Sequence, residues 1–191
     1  MFRTARRGFT LIEVLVVATI IGIAAAVVVP SLRSRGDLDL QAAVRQLVAD
    51  VSFAQSDALA NQGFRRIHFF ADGTGWCILR LDERSLRDDF DPAEAEYVDD
   101  PLAGGGKGGG SITRLSAGER FSSVRVDRVA IDGDRRDLTF DALGGTVDPD
   151  GDPGLGGSIV LRSDDAAFEV TLSPLTGRIE VRRLPVEGTD Q

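Results

Sequence analysis

Two kinds of apolar spacing divide this chain, one suited to helix and one to strand. Between residues 9 and 29 nearly every side chain is apolar, with Thr10, Glu13 and Thr19 as the polar exceptions. Wound as a helix, that run crosses a bilayer core of ~30 Å. Pro30 follows, where a proline kinks or ends a helix by removing a donor and crowding the preceding turn. Asp37 can cap a second helical stretch. There Leu40, Val44, Leu47, Val48, Val51, Ala54 and Ala58 recur every three or four residues and form one apolar stripe. A stripe of this length packs on a sheet and is too short for a coiled coil. Gly63 suits the left-handed position that ends such a helix, so the helical segment covers residues 30–63.

From residue 64 the spacing shortens to alternation. "RRIHFF" and "WCILRL" flank "ADGTG", whose Asp-Gly marks a hairpin turn. Further strands are expected at "SITRL", "SSVRVDRVAI", "DLTF", "GSIVLR", "AFEVTL" and "GRIEVRR". Several alternate apolar with polar side chains, the mark of a sheet with one buried and one wet face. The fold class that follows is α+β: a long amino-terminal helix, membrane-spanning in its first half, packed on an antiparallel sheet domain over residues 64–191.

Two polar segments interrupt the strands. Residues 83–110 are acidic, then glycine-rich through "GGGKGGG", and read as a mobile surface excursion. This glycine run is not a phosphate loop: Lys107 is followed by glycine instead of Ser or Thr, and no strand and helix flank it. In "VDPDGDPG", Asp148, Asp150 and Asp152 alternate like the start of a calcium loop. The bidentate acid such a loop needs at its twelfth position is replaced by Ile159, so a solvated turn is the reading and calcium a weak candidate.

Charge changes the picture at the amino end. Arg3, Arg6 and Arg7 precede the apolar run and no acid does, which keeps that end in the cytoplasm and sends the rest across the membrane. A secretory signal peptide is one account, since Ala24, Ala25 and Ala26 offer a small-residue cleavage site. It leaves Glu13 unexplained. A carboxylate inside an apolar span costs about 2.5 to 3.5 kcal/mol, so it calls for a function and a partner.

The stretch "RRGFTLIEVLVV" resembles the prepilin cleavage and methylation motif of type IV pilins and type II secretion pseudopilins. The resemblance implies a leader over residues 1–8, cleaved by a prepilin peptidase between Gly8 and Phe9, with N-methylation of Phe9. It implies that residues 9–29 are retained, first as a single-pass anchor in the bacterial inner membrane and then as filament core. Glu13 would pair with the new amine of Phe9 on a neighbouring subunit, a match whose register a low-dielectric setting enforces. Gly22, Ala24, Ala25 and Ala26 would permit close helix approach.

Within that superfamily, "LVADVSFAQSDALANQG", "DLTFDALGG" and "VTLSPLTGRIEV" resemble the GspH/FimT family. The chain departs from it at Gln55, Ser56 and Asp57, where an arginine and a glutamate are usual. Two roles share this fold: minor pseudopilins of a type II secretion system, acting with other pseudopilins and an inner-membrane assembly platform, and minor pilins of type IV pili. Some of the latter contact DNA through a carboxyl-terminal G-R-x-R motif. Here Gly177 and Arg178 match it, Glu180 replaces the second arginine, and Arg182 and Arg183 lie nearby.

Net charge is −8. Three of the 22 basic residues lie in the leader, leaving 19 against 30 acidic ones, or −11 after cleavage. Binding to nucleic acid rests on neutralising phosphates, so this balance disfavours it and supports the secretion role. Catalysis is disfavoured too. His68 is the only histidine, placed in a strand, and no nucleophile signature or cofactor motif accompanies it. Cys77 is the only cysteine, which excludes an intrachain disulfide, and its apolar surroundings suit a buried free thiol.

Overall fold

One helix, α1 (Leu11–Asn61), takes up both predicted helical stretches. The computed structural model describes residues 10–100, 109–115, 121, 123–174 and 176–185, with the backbone alone at residues 26–35. Pro30 neither ends α1 nor starts a second helix. A proline removes one donor, and the turns on either side keep their own bonds. Asp37 is consequently interior and caps nothing. Its carboxylate accepts from Gln41 Nε2 at 3.2 Å and meets Arg183 at 3.5 Å. The helix closes one residue earlier than expected. Gln62 takes the left-handed conformation (φ 49°), and the N–H groups of Gln62 and Gly63 donate back to Leu59 and Ala58 at 3.4 and 3.1 Å. That crossed pair of bonds is a Schellman end.

The chain divides into two compact units, residues 1–35 and 36–191. In the second, nine strands among the described residues form two antiparallel sheets. The first holds β1 (Phe64–Phe69), β2 (Gly75–Leu81), β3 (Ile112–Arg114), β5 (Asp137–Phe140) and β6 (Thr146–Val147), in the order β3-β2-β1-β5-β6. The second holds β4 (Arg125–Ile131), β7 (Gly157–Arg162), β8 (Ala167–Leu172) and β9 (Ile179–Leu184), in the order β4-β7-β8-β9. The predicted "ADGTG" hairpin joins β1 to β2, with Ile67 opposite Ile78.

The stripe on α1 buries as its spacing requires. Leu40, Leu47, Val51, Ala54 and Ala58 are fully covered, joined by Ala43. They meet Ile67, Phe69, Trp76, Ile78, Leu138 and Phe140 of the first sheet and Ile131, Ile159, Leu161, Val170 and Leu172 of the second in one apolar cluster. This cluster lies entirely inside residues 36–191, so that unit carries the core it needs to fold by itself.

Residues 83–100 correct the expectation of a loose excursion. Asp82 caps a short 3-10 helix, Glu83–Arg87, accepting from Ser85 N–H at 2.9 Å. Leu86 and Val98 are buried, and Tyr97 bridges back to Leu79 of β2. Arg66, itself buried, donates to the carbonyls of Leu86 and Asp88 and fastens this arm to the sheet. Two apolar anchors and a bridge leave no period to read from sequence. The glycine run that follows, with Lys107, lies outside the described residues apart from its last two glycines.

Candidate assembly site

The amino-terminal segment starts from its cap. Thr10 precedes α1, and its hydroxyl accepts the Glu13 N–H at 3.3 Å. The spacing Thr-x-x-Glu is that of a capping box, a local signal in the sequence that accounts for part of Glu13's position. The carboxylate itself is exposed in the first turn, where the helix dipole favours a negative charge. Around it Leu11, Ile12, Val14 and Leu15 are exposed, Leu11 at 84%. Gly22 has no atom near the place a Cβ would occupy. The described surface of this segment is thus apolar and bears one carboxylate. Among the described residues no helix is long and apolar enough to cross a membrane. The side chains of residues 26–35, where the expected span ends, and Gly8 and Phe9, where cleavage is expected, lie outside the described residues.

Within residues 36–61, Asp50, Gln55 and Asp57 fasten α1 to the sheets in addition to Asp37. The Asp50 carboxylate accepts from Trp76 Nε1 at 2.7 Å, Thr113 Oγ1 at 2.9 Å and Gln46 Nε2 at 2.9 Å. Burial pushes the Asp50 carboxyl above its ordinary value, while the three donors pull it back. Gln55 Nε2 donates to the carbonyls of Gly144 at 2.7 Å and Thr176 at 3.1 Å, tying the "DALGG" turn and the β8–β9 hairpin to one point on the helix. Gly177 in that hairpin has φ 61°, and a Cβ there would stand 2.9 Å from Phe140 Cε1, so only glycine fits. Asp57 pairs with the buried guanidinium of Arg65. The departures at Gln55 and Asp57 are thus structural fastenings. Asp50 was not legible in advance, because one acid beside an apolar stripe looks like an ordinary solvated position.

The carboxyl-terminal arginines do not form a free patch. Arg182 meets Glu169 at 2.7 Å, Arg183 meets Asp37 at 3.5 Å, and Arg178 lies 3.9 Å from Glu180. Being successive on β9, Arg182 and Arg183 project to opposite faces. The alternating aspartates sit in a turn: Asp148 Oδ1 accepts the N–H groups of Asp150 and Asp152 at 2.9 and 3.0 Å, and Asp150 is engaged by Arg87 at 2.8 Å. Among the described residues no group of three or more acidic, histidine or cysteine side chains could hold a metal ion. His68 Nδ1 bonds Asp137 Oδ1 at 2.7 Å while its ring stacks on Phe90 at 4.1 Å, pinning the arm against β1. Cys77 is fully buried, and burial pushes its thiol up to about 12.

Residues 3–29 match the prokaryotic N-terminal methylation motif, and residues 43–176 match the type II transport protein GspH. The chain belongs to the GspH family. It is a family of structural pilin and pseudopilin subunits, membrane-anchored and assembled into filaments, and the methylation motif implies processing by prepilin peptidase and assembly with other such subunits. Among GspH-like and pilin-like relatives, the pilin-like protein PilA1 of Thermus thermophilus is 35% identical over 89 residues, 47% of this chain. The chain spans 56% of that relative's length. The minor pilin FimU of Pseudomonas aeruginosa superposes with a TM-score of 0.45 at 18% identity, over 76% of this chain and 90% of that one. The minor pseudopilin EpsH of the Vibrio cholerae type 2 secretion system gives 0.44 at 11%, over 78% and 96%. The GspH match begins on α1 and ends at Thr176 in the β8–β9 hairpin, leaving β9 outside it.

Proposed function

We propose that this chain is a minor pseudopilin of a type II secretion system, a non-enzymatic subunit of a periplasmic filament that serves protein secretion. Prepilin peptidase cuts between Gly8 and Phe9 and methylates Phe9. Residues 9–29 then anchor the subunit by a single pass in the bacterial inner membrane and later enter the filament core. Residues 30–63 lead into the domain formed with residues 64–191, which stands in the periplasm. The inner-membrane assembly platform and other pseudopilins are its partners, and it needs no cofactor.

The observation that carries this reading is the pairing of a methylation motif over residues 3–29 with a GspH match over residues 43–176. Glu13 supports the assembly step, being an exposed carboxylate on an apolar helix surface, as pairing with the amine of a neighbour's Phe9 requires. The acids beside Arg178, Arg182 and Arg183 support the secretion role over DNA contact. Mass spectrometry of the membrane form is expected to find a mature chain beginning at methylated Phe9. A terminus near Val27 would mean signal-peptide removal and would sink the proposal.

A second reading, a FimT-like minor pilin of a type IV pilus, is favoured by the pilin-like relative from Thermus thermophilus. The two part in a gel shift of residues 36–191 with duplex DNA. A salt-sensitive shift lost in Arg178→Ala selects the pilus role.

A further inference from the structure

Among the described residues β9 is the last strand of its sheet and is hydrogen-bonded on one side only, to β8 from Leu172↔Ile179 through Ala167↔Leu184. The Ser173 N–H donates to the Arg178 carbonyl at 2.9 Å, which fixes the phase of the ladder. By the alternation of antiparallel pairs, Glu180, Arg182 and Leu184 turn their main-chain groups to β8. Ile179, Val181 and Arg183 turn theirs to the open side.

The other sheet edges are guarded. β4 is bulged between Val126 and Arg128, and its Val126 N–H donates to the Gly73 carbonyl at 3.0 Å. β3 has three residues and β6 two. β9 has six and lacks a bulge, so it carries the exposure that folds usually suppress.

Its side chains complete a receptor for a strand. On the face toward α1, Val181 is 47% exposed and borders an apolar slot with Val44, Val48, Ala49 and Phe168. On the opposite face, Glu180 and Arg182 stand exposed, one acid and one base two positions apart. An added strand places alternate side chains on those same two faces.

We propose that β9 takes up an extended segment of another protein as a fifth, antiparallel strand of this sheet. An apolar residue of that segment faces Val181 and enters the slot, an acid lies opposite Arg182, and a base lies opposite Glu180. A second copy of the chain has the right chemistry and the wrong direction. Asp37 meets Arg183 and Gln55 meets Thr176, so α1 over residues 36–61 runs antiparallel to β9. Pairing two β9 strands about Val181 therefore sets the two helices in opposite senses, whereas subunits anchored at their amino ends point one way. Copies pointing one way would instead bring β9 to the neighbour's β4, the bulged edge that Gly73 covers. The choice of a foreign partner thus rests on the anchored-subunit reading; the open edge does not.

A free peptide escapes the directional constraint. The test uses the isolated unit of residues 36–191 and a blocked synthetic peptide of residues 177–185, whose order of apolar, acid, apolar and base suits pairing 180↔182 and 181↔181. Amide hydrogen exchange by NMR is expected to slow about tenfold or more at Ile179, Val181 and Arg183 when the peptide binds. The same peptide carrying E180R and R182E sets like charges opposite each other and is expected to bind about five- to tenfold more weakly. V181P removes an outward N–H and spares the ladder to β8, so it should abolish peptide binding while keeping the melting temperature. The proposal is overturned if these three amides are unchanged at millimolar peptide or if both peptides bind equally. Dimerisation of the unit through the same amides, at concentrations below those at which peptide binds, would overturn the foreign partner and assign the edge to a second copy. A mature terminus other than Phe9 would sink the anchored reading and leave the peptide result standing.

Discussion

Replacing Asp50 by alanine tests whether α1 is fastened to the sheets by polar bonds or by apolar packing alone. The substitution removes the acceptor of three donors, and the donors differ in consequence. Gln46 is exposed and turns to water, Thr113 is half-covered, and the Trp76 indole is fully buried beneath the helix. An orphaned buried donor costs about 1 to 3 kcal/mol, and bonds to an ionised acceptor stand at the upper end of the usual range. The expected loss is about 2 to 3 kcal/mol, which for a unit of this size lowers the melting temperature by roughly 5 to 10 °C. Urea unfolding of residues 36–191, followed by Trp76 fluorescence, measures it.

Asp50→Asn separates the bonds from the charge, because its single amide oxygen can still accept from Trp76. Its loss should be smaller than that of alanine. The pH dependence has a definite sign. The folded carboxyl titrates above its unfolded value because burial outweighs the three hydrogen bonds. Its contribution is full below the unfolded value near 3.8 and declines as pH rises through the raised folded value. The wild type should therefore lose ground to the Asn variant across that window. A destabilisation of Asp50→Ala under about 0.5 kcal/mol, the range of ordinary surface changes, would refute the fastening argument.

Asp57→Ala strands the buried Arg65 charge and should cost about 3 to 5 kcal/mol in the same urea experiment, more than any exposed ion pair here. Cys77 should resist a thiol reagent such as dithionitrobenzoate at pH 8, reacting at the global unfolding rate, since its thiol is buried and pushed to about 12. Glu13→Leu should leave the chain in the membrane fraction and reduce its recovery in sheared filaments by about tenfold or more, as expected when a charge pair in a low-dielectric setting is broken. Undiminished recovery would remove the pairing argument.

What the sequence could and could not disclose follows from how local each signal is. The strand-like segments located β1, β2, β3, β4, β5, β7, β8 and β9, and a period of two marks those such as β4 that bury one face. β6 was missed: two residues between "DALGG" and the aspartate turn have no period. The burial of the stripe from Leu40 to Ala58 was legible for the same reason as the strands. Of the two outcomes a proline allows, α1 does not take the ending at Pro30, and with the helix continuous the cap at Asp37 has no terminus to serve. At the site, the methylation motif could be read because contiguous residues carry it. The fastenings by Asp50 and Gln55 join residues far apart in the chain, and the acids that meet Arg182 and Arg183 are set by strand register and helix placement.

Arg66 holds the arm of residues 83–100 by carbonyl oxygens, those of Leu86 and Asp88, and every residue type supplies a carbonyl. The grip thus constrains the path of the backbone and is indifferent to most of the side chains along it. The side chains that do hold on are few, the anchors Leu86 and Val98, Phe90 on His68, Arg87 on Asp150 and Glu96 on Arg80. The rest of the arm is a surface on which a subunit can diversify its contacts while its core and its anchor stay the same.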